Sequence, residues 1–412
     1  MADEPAAPSV EIPEDLAERA RIAGWPEDLV RQALEQGAQP ADLTRFMSMG
    51  ISAEQAREFM AAQGQGGPAA GTPELTMAWM NVPTEWGTRA RPTKKGLTIE
   101  AINVGRYGEV PDRWEHQTEL PRGAVAIAGV EGMGYSIYEK QELWADNAGD
   151  LYEEAIQRRW RPSTDVPWDA MKPLPDDVER AICQLCTHFS EKAQLEADVI
   201  SGWEPELSYG YHEVKLYLAT VVFEGARHAE VFRKRALSNG GGLGIQSTGW
   251  SFRSVTDARN FTEMVMVQMI LQDGFTLVQY EFGEKYAPTV AEQYIFRMGM
   301  QDKARHIAYG LAHLKYVLLN RPDRRQELER YLDKGEAMLC SDDRDTATRE
   351  AFAILFAGSK DKIQAGLQIY EAMRRRQVQQ YLERLEWATM DRADRLFPAL
   401  RAYAEAPAAA GA

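Results

Sequence analysis

The chain has 412 residues, 44% apolar and 26% charged, and is long enough to bury a substantial core in one large domain or several smaller ones. Its formal net charge of −15 and sequence pI near 5.1 exclude broad binding to nucleic acid or anionic membrane, which needs a basic surface. Three cysteines make no disulfide framework, and the start "MADEPAAPSVEIPEDL" lacks the charged-then-apolar order of a secretory leader, so the expected location is cytoplasmic.

Residues 1–12 and 405–412 are Pro/Ala-rich and read as disordered tails. Between 13 and 63, "PEDLAERARIAG", "PEDLVRQALEQG", "QPADLTRFMSMG" and "SAEQAREFMAAQ" each begin on a Pro, Ser or Asp signal, and the first three end at Gly. They predict a small helical module of the kind used for docking or dimerisation. The run "GQGGPAAGTPE" at 64–74 is a linker. Residues 75–147 read as an irregular segment wrapping the helical domain on its C-terminal side, with strand-like pieces "GLTIEAINVG" and "GAVAIAGV".

From about 148 the pattern is helical, over 148–160, 175–201, 210–238, 254–286 and 289–319, which gives a bundle domain at 148–320. C-terminal helices come next over 321–404, at 322–337, 345–357 and 360–396. Four of the patterns within 148–320 exceed about 25 residues, the mark of a long-helix bundle. The Gly-rich "SNGGGLGIQSTGW" at 238–250 stands where a two-plus-two bundle needs its crossover. The apolar stripe of 360–396 requires a partner, either the bundle or a second subunit. The expected fold is all-α: a four-helix bundle with extra helices and an N-terminal helical module. No run of eighteen apolar residues predicts a membrane span.

Cys183 and Cys186 form a C-x-x-C in "RAICQLCTHF", but no second pair sits at a zinc-like distance, so they read as buried small hydrophobes. The aromatic set Tyr209, Tyr211, Tyr217, Phe223, Phe275, Tyr280 and Phe282 reads as core, some of it able to line an apolar tunnel. The chemistry lies in a phrase written twice, "FEGARHAEVF" at 223–232 and "QDKARHIAYG" at 301–310. In a bundle that holds two metals, each half supplies a Glu from one helix and a Glu-x-x-His from the next, because i and i+3 share a helix face. Two such pairs are present: "HFSEKAQLEADVISGW" with the first phrase and "MVQMILQDGFTLVQYEF" with the second.

On these motifs the sequence resembles the ferritin-like di-iron carboxylate superfamily, in the branch holding the small subunit of ribonucleotide reductase, the related ligand-binding oxidases and bacterial di-iron oxygenases. The resemblance covers roughly 150–320. It implies an oxidoreductase scaffold and ligand positions at Glu191 on the first helix, Gly225 and His228 on the second, Gln272 on the third, and Lys303 and His306 on the fourth. Gln268 and Asp273 are the other possible registers on the third helix. Only one of the four carboxylates is then kept. The acids one place earlier, Glu224 and Asp302, fall where the family hydrogen-bonds the opposite imidazole, and Arg227 and Arg305 pair with bundle acids.

Two readings are open. In the first, the centre is depleted of metal ligands and no cofactor is expected. Lys303 restores neutrality beside Glu191, His228 and His306 are satisfied by Asp302 and Glu224, and the scaffold serves a small apolar ligand or a protein partner. Some radical-generating relatives exchange carboxylates for lysine in this way, but they keep a redox tyrosine four residues after the first histidine, where this chain has Phe232. In the second, Glu191, Glu224, His228, Asp273, Asp302 and His306 bind an Fe or Mn/Fe pair in a shifted register, presented by a π-bulge, for oxygenase or oxidase chemistry on a small organic or lipid-like substrate. Either way a homo-oligomer, a dimer, is expected.

Overall fold

The computed structural model describes residues 10–48, 50–57, 76–81, 87–114, 122, 134–246, 249, 251–341 and 345–405. The chain divides into two compact units, 1–84 and 85–412. The linker assigned to 64–74 and the tails lie outside the described residues.

In the first unit, α1 (Glu14–Ile22), α2 (Glu27–Glu35) and α3 (Pro40–Ser48) are followed by a helical turn over 53–57. Pro13 and Pro26 precede α1 and α2, where a missing N–H costs nothing. Gly24 and Gly37 turn the chain out of both helices at φ 73° and 91°, in the left-handed region. Leu16, Trp25, Leu29, Val30 and Leu43 form a core of the unit's own.

In the second unit, "GLTIEAINVG" is not a strand. It forms two 3-10 turns, Glu100–Ile102 and Gly105–Tyr107, and the only β features among the described residues are isolated bridges. "GAVAIAGV" lies outside the described residues. Arg122 anchors the irregular segment: its buried guanidinium grips both carboxylate oxygens of Glu213 and the Gly210 carbonyl. Helix α4 (Ala148–Gln157) then leads into the bundle.

The bundle consists of α5 (Asp176–Trp203), α6 (His212–Ser238), α7 and α8 (Val290–Asn320). Helix α7 runs from Phe261–Val265 through a π-helical segment, Met266–Gln272, into Asp273–Tyr286. At about 1.5 Å per residue the longest of these span over 40 Å. α5 packs on α6 and α7 on α8 as antiparallel hairpins, and the connection 239–260 crosses between them. Two hairpins joined by one long crossover make the ferritin-like topology. The pattern expected over 254–286 is broken before Phe261, where Asn260 caps the helix by accepting from the Glu263 N–H.

Four further helices, α9 (Arg325–Ser341), α10 (Thr346–Ala357), α11 (Ile363–Trp387) and α12 (Pro398–Glu405), complete the unit. The helix expected to reach 396 ends at Trp387, because Thr389 turns left-handed at φ 66°. Its apolar stripe, including Val378, Tyr381 and Leu385, is buried against Phe275 and neighbours on α7 and α8, so the bundle is its partner. Of the aromatic set, Tyr211, Tyr217, Phe275 and Tyr280 are core, Phe282 is half-buried, and Tyr209 and Phe223 are exposed. Cys183 and Cys186 are buried free thiols, with Cys183 Sγ against Glu179 and the Ala236 carbonyl. No described helix is long and apolar enough to cross a membrane.

Inside the bundle the core is layered. Phe189, Phe232, Tyr280 and Phe296 form an aromatic cluster towards one end, and Tyr217, Leu218, Phe261, Met264 and Tyr309 fill the other. The charged side chains of the two doubled motifs lie between them.

Candidate functional site: a buried ion layer

Each bundle helix sends an acid into this layer: Glu196 from α5, Glu224 from α6, Asp273 from α7 and Asp302 from α8, none more than 5% exposed. Glu196 replaces Glu191 as the residue α5 contributes. The inward stripe of α5 runs Phe189, Lys192, Glu196, Ile200 at three- and four-residue steps, whereas Glu191 lies off it and is half-buried. Lys192 is inward too. Its Nζ donates to Gln272 Oε1 at 3.1 Å and Thr276 Oγ1 at 2.7 Å, and lies 3.9 Å from Glu196.

Two cations bridge the four acids. Lys303 Nζ sits 2.6 Å from Glu196 Oε2 and 2.5 Å from Asp273 Oδ1, joining α5 to α7 through α8. Burial alone would lower the Lys303 pKa, but the two carboxylates outweigh it and hold the ammonium above its ordinary range. Arg305 bridges Glu224 and Asp302 with one nitrogen. Arg227 adds a 2.7 Å contact to Asp302 and lies 3.5 Å from Glu224.

The two histidines are held differently. His306 faces a carboxylate at each ring nitrogen, Asp273 Oδ2 at 3.0 Å from Nδ1 and Glu224 Oε2 at 2.9 Å from Nε2. Ionised carboxylates only accept, so this pairing calls for a proton on both nitrogens. Burial opposes the imidazolium, but the two hydrogen bonds prevail and raise the pKa. His228 has Nε2 at 2.9 Å from Asp302 Oδ2, while its buried Nδ1 has no partner. Burial, only partly offset by Asp302, lowers its pKa and keeps it neutral. Burial works against ionisation of Asp273 and Asp302 as well, yet their cationic and histidine partners pull both below the usual carboxylate range.

Trp160, from the "RRWR" run, is a member of the layer that sequence reasoning missed. It is 2% exposed, and its indole N–H donates to Asp302 Oδ2 at 3.0 Å. Arg227 packs over its ring at 4.9 Å. A tryptophan in an otherwise basic run was the one available signal. On α7, Gln272 meets Lys192 and the Ser251 carbonyl, Asp273 meets Lys303 and His306, and Gln268 is buried with both amide atoms unpartnered. The π segment lies in this helix rather than at either Ala-Arg-His motif.

Glu224, His228, Asp273, Asp302 and His306 therefore meet in one layer, with Glu196 in place of Glu191. As a metal cradle the layer does not fit. Lys303 holds an oxygen of Glu196 and of Asp273, Arg305 and Arg227 hold Glu224 and Asp302, and His306 offers no lone pair. A metal would also have to displace an ammonium from the bundle interior. Gly225 leaves no room for a restored glutamate, since a Cβ there would stand 2.9 Å from Ala197 Cβ and 3.2 Å from the Ala193 carbonyl oxygen. Among the described residues no group of three or more His, Cys, Asp or Glu side chains is arranged to hold a metal ion.

No protein-family model and no curated protein sequence matches the chain. Solved structures do. An R2-like ligand-binding oxidase variant with an aerobically reconstituted Mn/Fe cofactor is 16% identical, over 57% of this chain and 91% of that one, at a TM-score of 0.44. A second variant of that oxidase, also with an aerobically reconstituted Mn/Fe cofactor, is 17% identical over 59% and 94%, at 0.45. A third, reconstituted anaerobically, is 18% identical over 57% and 91%, at 0.42. At such identity the centre has to be read from its own residues.

Proposed function

We propose that this protein is a ferritin-like scaffold of oxidoreductase type whose centre works without a conventional pair of metals, and that it serves to bind a small ligand or a protein partner. The observation that carries the reading is Lys303, whose ammonium takes the place between Glu196 and Asp273 where a dimetal bundle needs a cation. Arg305 does the same between Glu224 and Asp302. Together with Arg227 and the doubly protonated His306, these side chains balance the four carboxylates, the neutralisation that a pair of divalent ions would otherwise give. The test is the metal content of protein produced with ample iron and manganese and then desalted. Well under one metal per chain is expected; about two per chain, the load of a dimetal bundle, would overturn the proposal.

A further inference from the structure

A cavity of about 330 Å³ lies where α5 ends and α7 begins, and none of the described residues lining it belongs to the ion layer. Small-molecule sites run from about 300 to 1,000 Å³. Its apolar wall is an aromatic corner: the half-buried Trp203 ring and the buried Phe261 ring meet nearly edge to face, 6.4 Å apart at 74°. Its charges divide into a satisfied pair and an open one. Arg324 donates from Nε and Nη2 to Glu327, which also accepts from Tyr331. Glu142 and Arg259 line the same cavity, and neither forms an ion pair among the described residues. Burial, then the nearby Glu139 charge, raises the Glu142 pKa, and Arg324, already held by Glu327, offsets this only in part. The frame carrying both groups is fixed. Thr262 Oγ1 donates to the Glu142 carbonyl at 3.2 Å, and the Arg259 backbone N–H donates to Glu263 Oε2 at 2.9 Å, so the guanidinium stands out from an anchored loop.

We propose that this cavity binds a free α-amino acid with an aromatic or large apolar side chain, its ammonium at Glu142, its carboxylate at Arg259 and its side chain against Trp203 and Phe261. A guanidinium holds a carboxylate through two parallel hydrogen bonds, and an ammonium supplies the counter-charge that the half-buried Glu142 lacks. The aromatic corner shields the side chain from water. A plain carboxylic acid would leave Glu142 unanswered, and a plain amine would leave Arg259 so, which selects the zwitterion over either. Binding here and the metal content of the ion layer are read independently, so each proposal can fail without the other.

The experiment is isothermal titration calorimetry of the full chain with L-phenylalanine as the probe. The comparison ligands are 3-phenylpropanoate, which lacks the ammonium, and 2-phenylethylamine, which lacks the carboxylate. Phenylalanine is expected to bind saturably, at least about tenfold more tightly than either, the effect of one charged hydrogen bond. Glu142→Gln should remove the preference over phenylpropanoate, and Arg259→Gln the preference over phenylethylamine, each with unchanged circular dichroism. Arg259→Lys should keep part of the latter. No saturable binding of phenylalanine, binding no tighter than that of either comparison ligand, or a preference that survives both substitutions would each overturn the proposal.

Discussion

Lys303 reaches Glu196 at 2.6 Å although the two residues lie 107 positions apart in the chain, and this contact ties the two hairpins of the bundle together. Removing one partner of a buried ion pair leaves the other charged and unpaired, at about 3–5 kcal/mol. Lys303→Met is expected to destabilise the protein by that amount in chemical unfolding. Adding Glu196→Gln and Asp273→Asn should restore much of it. A single variant within about 1 kcal/mol of the parent would show that the acids find other partners.

Gly225 makes a second prediction. Its Cα packs so closely on α5 that Gly225→Ala must push α5 and α6 apart, a strain of about 1–3 kcal/mol. Ala197→Gly removes the opposing methyl group, so the double variant should recover stability relative to Gly225→Ala. Additive losses in the double-mutant cycle would mean that the contact at Ala197 is not the cause.

Metal binding should be recoverable by removing cations from the layer. Lys192→Glu with Lys303→Glu takes away two inward ammonium groups and adds two carboxylates without touching Gly225. The double variant, checked for folding by circular dichroism, is expected to gain at least one equivalent of Fe or Mn by elemental analysis. A folded variant that binds no more metal than the parent would contradict the assignment of Lys303 to the cation position.

Stability should fall with acid, and histidines set the window. Burial pushes His188 and His313 down to about 4 from 6.5, and His313 is fixed neutral between the Trp144 carbonyl and the Thr262 hydroxyl. A base with a depressed folded pKa contributes stability that is present above 6.5 and lost as pH falls towards 4. His306 runs the other way. Its raised pKa gives stability that is complete below 6.5 and lost as pH rises through the folded value. His313→Gln should flatten the acid limb of a midpoint-versus-pH curve, and His306→Gln should flatten the limb above 6.5. A His313→Gln curve parallel to the parent's would refute the first assignment.

Much of the fold is legible in the sequence because long amphipathic periodicity and a Gly-rich crossover leave few arrangements for a two-plus-two bundle. The site is legible in part. The doubled motifs name His228, His306, Glu224, Asp302 and Lys303 because i+3 and i+4 spacing fixes their common face. Glu191 is misassigned because α5 offers two acids five residues apart, and only the phase set by Phe189 and Ile200 distinguishes them. The residue facing inward from α7 is not readable by helical spacing, since the π segment changes the phase just before Asp273. Trp160 lies outside the bundle helices, and nothing in its local pattern ties it to Asp302.

The ion layer also acts as a check on assembly. Apolar layers tolerate a helix displaced by one turn, because one buried leucine or phenylalanine stands in well enough for another. Here the same slip would carry Asp273 away from Lys303 and His306, or Glu224 away from Arg305, and leave unpaired charges in the protein interior. A misaligned bundle therefore has no comfortable resting state. Only the register in which all four helices deliver their acids together closes the layer.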